Sequence, residues 1–219
     1  MVKLLHIETA TKVCSVALSE NGELVEVLEE SSDQYIHAER LTVLIEQLMT
    51  QRKLLFSDLS AISVSSGPGS YTGLRIGVST AKGICYAANL PLISIGALDA
   101  LIADARLKHP KENICAMIDA RRMEVFSKIV SANNEIIKPL SADELDEQTY
   151  ADFEPFIAVG DAVEKCTSIW NSRNVILETN HKSSAKGQVR TAFEKFNNAD
   201  FENVAYFEPL YFKDFVATK

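Results

Sequence analysis

Leu4-Leu5-His6-Ile7-Glu8, Cys14-Ser15-Val16-Ala17-Leu18 and Glu23-Leu24-Val25-Glu26-Val27-Leu28 are the runs whose reading decides the fold. Apolar residues recurring in period two mark β-strands. Thr9-Ala10-Thr11-Lys12 joins the first two runs. Asn21-Gly22, a pair that tolerates the positive φ of a two-residue hairpin, joins the second to the third. Working outward from this meander, Leu41, Leu44, Ile45 and Leu48 make one stripe of a helix over about 37–52. A strand over 61–65, the loop Gly67-Pro68-Gly69-Ser70-Tyr71-Thr72-Gly73, a helix to about Ala88, a strand over 92–95 and a helix over 98–107 follow. The order β-β-β-α-β-α-β-α implies an open mixed sheet flanked by helices, an α/β unit of ribonuclease-H-like type.

Lys108-His109-Pro110-Lys111 reads as a junction, which divides the chain into lobes at 1–107 and 108–219. The second lobe reads as a reduced copy. Its expected elements are strands over 114–118, 125–130, 156–159 and 175–177, and helices over 142–148, 162–170 and 185–196. The C-terminal tail is expected to return to the first lobe.

With 219 residues, 47% apolar and 24% charged, the composition is that of a folded globular protein. No apolar run approaches the roughly 18 residues that span a bilayer. Glu8 comes too early for a signal-peptide core, so the expected location is the cytoplasm, away from membranes. The 22 Lys and Arg against 30 Asp and Glu give a net charge of −8, and the basic residues are scattered. Strong unaided nucleic-acid binding, which needs a concentrated basic surface, is thereby disfavoured. Cys14, Cys85, Cys115 and Cys166 lack C-x-x-C spacing, and several have apolar neighbours, as reduced core thiols do.

Motifs for chemistry are sparse. No two of His6, His37, His109 and His181 are three or four residues apart, and Leu41 stands one turn beyond His37, so no metal site is expected. The Walker pattern is absent. Gly67, Gly69, Ser70 and Gly73 could present backbone N–H groups to an anion or nucleotide phosphate at a helix start. Equally, the glycines could serve a tight strand-to-helix turn. Asp119, at a strand end, could coordinate a ligand, or more simply be a turn residue beside Arg121 and Arg122. No serine or cysteine sits in a nucleophile motif, so no catalytic residue is assigned.

The helix from Gly73 to Ala88 carries one polar stripe, Arg75, Ser79, Lys82 and Tyr86. Leu74, Val78, Ala81 and Cys85 can face the sheet. A further small or apolar stripe, Ile76, Thr80, Gly83 and Ala87, with Ile84 beside it, implies cover on a second side. That cover is either another lobe of the chain or another subunit, and the small residues favour a subunit interface.

Ile7-Glu8-Thr9-Ala10-Thr11, His37-Ala38-Glu39-Arg40-Leu41, Gly67 through Gly77 and Ile118-Asp119-Ala120-Arg121-Arg122-Met123-Glu124-Val125-Phe126 resemble, in order and spacing, the TsaB (YeaZ) family. The likeness covers about residues 1–126, with a weaker echo at Pro209-Leu210-Tyr211-Phe212-Lys213. The resemblance implies an actin-like (ASKHA) fold of two ribonuclease-H-like lobes, the second reduced. It also implies a non-catalytic paralogue of TsaD that pairs with TsaD, joined by TsaE, in threonylcarbamoyladenosine modification of tRNA. In that role tRNA is met only through the complex and no cofactor is required, with room for ATP or ADP at the partner interface. A separate expectation is a homodimer when the chain is alone, the same helices pairing with themselves. Glu8 stands where the family usually has Asp, and Arg122-Met123 replaces a Met-Gly type pair. The alternative is a small ASKHA-type ATP-binding phosphotransferase or ATPase using Glu8 and Asp119.

Overall fold

The three N-terminal runs form β1 (Lys3–Glu8), β2 (Val13–Glu20) and β3 (Glu23–Ser31). These and the other elements come from a computed structural model that describes residues 1–32 and 36–212. Asn21 and Gly22 take φ of 50° and 84°, as the hairpin requires. Next in order are α1 (His37–Arg52), β4 (Ala61–Gly67), α2 (Tyr71–Ala88), β5 (Leu92–Gly96) and α3 (Ala97–Lys108). The first sheet runs β3-β2-β1-β4-β5, with β4 parallel to β1 and β5 parallel to β4.

Beyond α3 come β6 (Ile114–Asp119), β7 (Glu124–Val130), β8 (Ile136–Glu144), β9 (Phe156–Val159), β10 (Val175–Glu178) and α4 (Val189–Asn197). Their sheet has the order β8-β7-β6-β9-β10, which repeats the first sheet strand for strand. The duplicated α/β architecture expected from the sequence is therefore present.

Three expected helices differ. Residues 142–144 continue β8 in register with β7, pairing Ala142 with Phe126 and Asp143 with Val125. Asp143 is held there by Lys138 Nζ at 2.8 Å and the Tyr150 hydroxyl at 2.7 Å, so this acidic stretch is a strand end bound to a buried cluster. The expected helix over 162–170 is the 3-10 turn Val163–Cys166, whose Val163 and Cys166 pack with Trp170 under the second sheet. The helix expected over 185–196 opens as the 3-10 turn Ala185–Gln188 before α4 begins.

Alternation in β1 sorts its side chains to two covered faces. Leu5 and Ile7 pack with Leu41, Leu44 and Leu48 of α1 and Val78 and Ala81 of α2. Leu4, on the other face, clusters with Ala100 of α3 and Ala192 of α4. Helix α3 also packs Leu98, Leu101 and Ala105 against Ile114, Ala116 and Ile118 of the second sheet. It is the rod buried between both sheets. All four cysteines are buried free thiols, and burial pushes Cys14, Cys85 and Cys166 up to about 12.

Candidate functional site

Helix α2 starts at a serine cap, the Ser70 hydroxyl accepting from the Gly73 N–H at 3.2 Å, and ends where Asn89 turns left-handed at φ 52°. Leu74, Val78, Ala81 and Cys85 are buried on the sheet, as their spacing implies. Of the stripe read as a partner interface, Ile76, Thr80 and Ile84 are half-buried, while Gly83 and Ala87 are exposed. A Cβ built at Gly83 would meet nothing within 4 Å. Tyr86, beside them, is 86% exposed. Ile76 and Ile84 lean on the first core with their inner edges, so the outer surface of α2 is small, smooth and mostly uncharged.

The polar stripe has a different neighbour, which its sequence does not disclose. Lys82 Nζ donates to the carbonyls of Ala205 and Phe207 at 3.1 and 3.0 Å. Arg75 donates to the Tyr211 hydroxyl at 3.2 Å and lies 4.1 Å over the Tyr71 ring. The Leu210 N–H bonds the Ser66 carbonyl at 2.8 Å, so the C-terminal segment runs back along α2. Lys213, the last residue of the family-like echo, lies outside the described residues.

The glycine loop is explained by close packing. Cβ atoms at Gly69 and Gly73 would stand 2.2 Å from the carbonyl oxygens of Ala10 and Thr9, and one at Gly77 would stand 2.2 Å from Thr9 Oγ1. The Thr9 hydroxyl donates to the Gly73 carbonyl at 2.8 Å, and the Ser70 N–H donates to Ala10 O at 2.7 Å. Gly67 holds φ 99° against the tail at Leu210. Two donors that an anion would use, the Ser70 and Gly73 N–H groups, are thus engaged within the protein.

The strand-end acids are likewise committed. Glu8 is fully buried and accepts from the Ala10 N–H at 2.8 Å. Burial pushes its carboxyl up to about 7, against the opposing bonds from Ala10, Ser65 and Gln188. Asp119 Oδ1 accepts from the Arg121 N–H and from Lys165 Nζ, both at 2.6 Å, so it is the turn residue of the simpler reading. Its neighbour Asp161, whose Oδ1 accepts the Asp119 N–H at 3.0 Å, is pushed up by burial to about 6. His37 donates from Nε2 to the Thr11 carbonyl at 2.8 Å, and burial lowers its pKa.

A polar chain behind β1 was not read from the sequence. The Ser19 hydroxyl donates to His6 Nε2 at 2.8 Å, and His6 Nδ1–H donates to Ser63 at 3.0 Å. Ser63 donates to Gln188 Oε1, and Gln188 Nε2 donates to the Ile7 carbonyl at 2.9 Å. These directions follow from Ser63 giving its proton to the amide oxygen, which leaves the imidazole neutral with its proton on Nδ1. Burial drives the His6 pKa down to about 3. The signal available in the sequence was hydroxyls at alternate positions, Ser15 and Ser19 in one strand and Ser63 and Ser65 in another.

Among the described residues no three His, Cys, Asp or Glu side chains are grouped to hold a metal ion, and no helix is long and apolar enough to cross a membrane. Two sheets of identical strand order sharing a buried helix define an actin-like ATPase fold. The activator of 2-hydroxyisocaproyl-CoA dehydratase from Clostridium difficile superimposes with a TM-score of 0.54 at 10% identity over 91% of this chain and 97% of that one. YeaZ from Pseudomonas aeruginosa superimposes at 0.82 and 23% identity over 96% of this chain and 100% of that one.

The chain belongs to the family described as TsaD: tRNA N6-adenosine threonylcarbamoyltransferase, whose model matches residues 29–206. It is 26% identical to the tRNA threonylcarbamoyladenosine biosynthesis protein TsaB of Escherichia coli strain K12, over all of this chain and 97% of that protein. To the protein of the same name from Haemophilus influenzae it is 38% identical over 58% of this chain, a match spanning 53% of that relative's length. The resemblance read from the motifs is borne out.

Proposed function

We propose that this chain serves tRNA threonylcarbamoyladenosine biosynthesis as a non-catalytic subunit that pairs with TsaD, with TsaE joining the pair. The observation that carries the pairing is the outer flank of α2, where Gly83 and Ala87 are open and Ile76, Thr80 and Ile84 present apolar edges. Small residues let a second helix approach closely, and a standard interface of about 1,600 Å² depends on a few central positions. The commitments of Glu8 and Asp119 support the absence of chemistry: both acids are already satisfied by the chain itself. The net charge of −8 favours meeting tRNA through the complex. The same flank offers an isologous contact for a homodimer when TsaD is absent. ATP or ADP at the pairing surface belongs to the same proposal.

Gly83→Arg tests the reading with little risk to the fold, because the position is exposed and arginine is the better helix former by about 1 kcal/mol. Sedimentation of the variant with TsaD is expected to show association weakened about a hundredfold or more, with thermal stability kept or raised. Ala87→Arg should behave alike. Undiminished association of both folded variants overturns the proposal. Mg-ATP calorimetry on the isolated chain separates the rival phosphotransferase reading, which requires binding with turnover.

A further inference from the structure

We infer that a cavity between β3, the end of α3 and residues 180–186 binds a small zwitterion bearing a carboxylate and an ammonium, of the free α-amino-acid class. The cavity measures about 350 Å³, within the range of small-molecule sites, and no residue of α2 lines it. It is independent of the pairing flank.

Charge arithmetic at its walls identifies the ligand. The lining holds three carboxylates, Glu29, Glu30 and Asp104, and three ammoniums, Lys108, Lys182 and Lys186. Glu30 is taken by Arg40, and Asp104 by Lys186 at 3.3 Å and His181 Nε2 at 3.0 Å. Glu29, Lys108 and Lys182 have no ion pair within 4 Å among the described residues, although the Lys108 charge also reaches Glu178. Among the described residues Glu29, from β3, accepts only hydroxyls, from Ser15 at 3.0 Å and from Ser184. A plain anion would suit the two lysines and be repelled by Glu29, and a plain cation would face the reverse. A molecule with both signs answers both walls.

A second observation points into the same space. Ser183 lines the cavity, is 2% exposed, and its hydroxyl has no partner among the described residues. A buried hydroxyl without a partner is unfavourable, and a ligand carboxylate would satisfy it. His181 is 5% exposed, and its other nitrogen, Nδ1, stands 3.3 Å from Glu178 Oε2, so carboxylates flank the ring on both sides.

The test is amide NMR of the full chain titrated with L-alanine, with acetate and methylamine as the single-charge arms. Saturating shifts are expected at Lys182, Ser183 and Glu29 with L-alanine, which should bind about tenfold more tightly than acetate. The pair Lys108→Ala with Lys182→Ala should weaken L-alanine about tenfold, and Glu29→Gln, whose amide oxygen can still accept both serine hydroxyls, should erase the preference over acetate. Absence of saturation with L-alanine, acetate binding as tightly as L-alanine, or an undiminished preference in Glu29→Gln overturns the inference.

Discussion

Replacing Glu8 by Gln tests whether the strand-end acid is a neutral structural group. The carboxyl is fully buried, and burial lifts it from an ordinary 4.5 to about 7. An acid whose folded pKa is raised holds its proton in the native state where the unfolded chain has released it, so stability falls as pH rises from 4.5 to 7. Each pKa unit is worth 1.36 kcal/mol, which puts the loss across this window at about 3 kcal/mol. Glutamine copies the shape of the protonated acid, can accept the Ala10 N–H and has no charge to form. Urea unfolding of both proteins across this window, extended to about pH 8.5, gives a difference curve in which other titrations cancel. At the acid end the two should be similar. Above pH 7 the variant should be the more stable, by up to about 3 kcal/mol. Parallel stability curves would refute the assignment of a buried neutral Glu8, and with it the argument that this acid is structural.

Gly73→Ala should destabilise by about 3 kcal/mol or more in urea unfolding, because its Cβ would lie 2.2 Å from the backbone oxygen of Thr9, which cannot swing away. Gln188→Leu should lower stability by about 1–3 kcal/mol in thermal melts monitored by circular dichroism, since Ser63 and the Ile7 carbonyl lose a buried partner. Burial opposes the charge on Asp104, but His181 and Lys186 outweigh it and hold the carboxyl below its usual range. Its contribution is therefore present above the unfolded-state pKa and lost as pH falls through the lower folded value. Asp104→Asn should be less stable at neutral pH and lose less on acidification, which an acid titration of both proteins checks.

The first lobe was legible because its signals are local. Period-two runs, Asn21-Gly22 and the stripe of α1 each act within a few residues, whereas the place of β4 beside β1 depends on the long crossover through α1. In the second lobe the helices over 142–148 and 162–170 failed because the local pattern was overruled. Asp143 and Tyr150 close a cluster with Lys138, and Trp170 with Cys166 needs only a single turn to cap the sheet. Alternation also left open what covers the outer side of each strand. The face of β1 that carries His6 and Glu8 is fully buried, and Gln188 closes it by bonding Ser63 and the Ile7 carbonyl, 125 and 181 residues away in the chain.

The sequence by itself determined the duplicated α/β order, the lack of a paired-histidine metal motif and the family. Tertiary structure alone decided three matters: that the tail covers Arg75 and Lys82, that α3 is the rod buried on both sides, and that the glycine loop is filled by Thr9 and Ala10. The physical reason is that periodicity reports which side of an element avoids water, whereas the identity of the covering group depends on contacts between segments far apart in the chain.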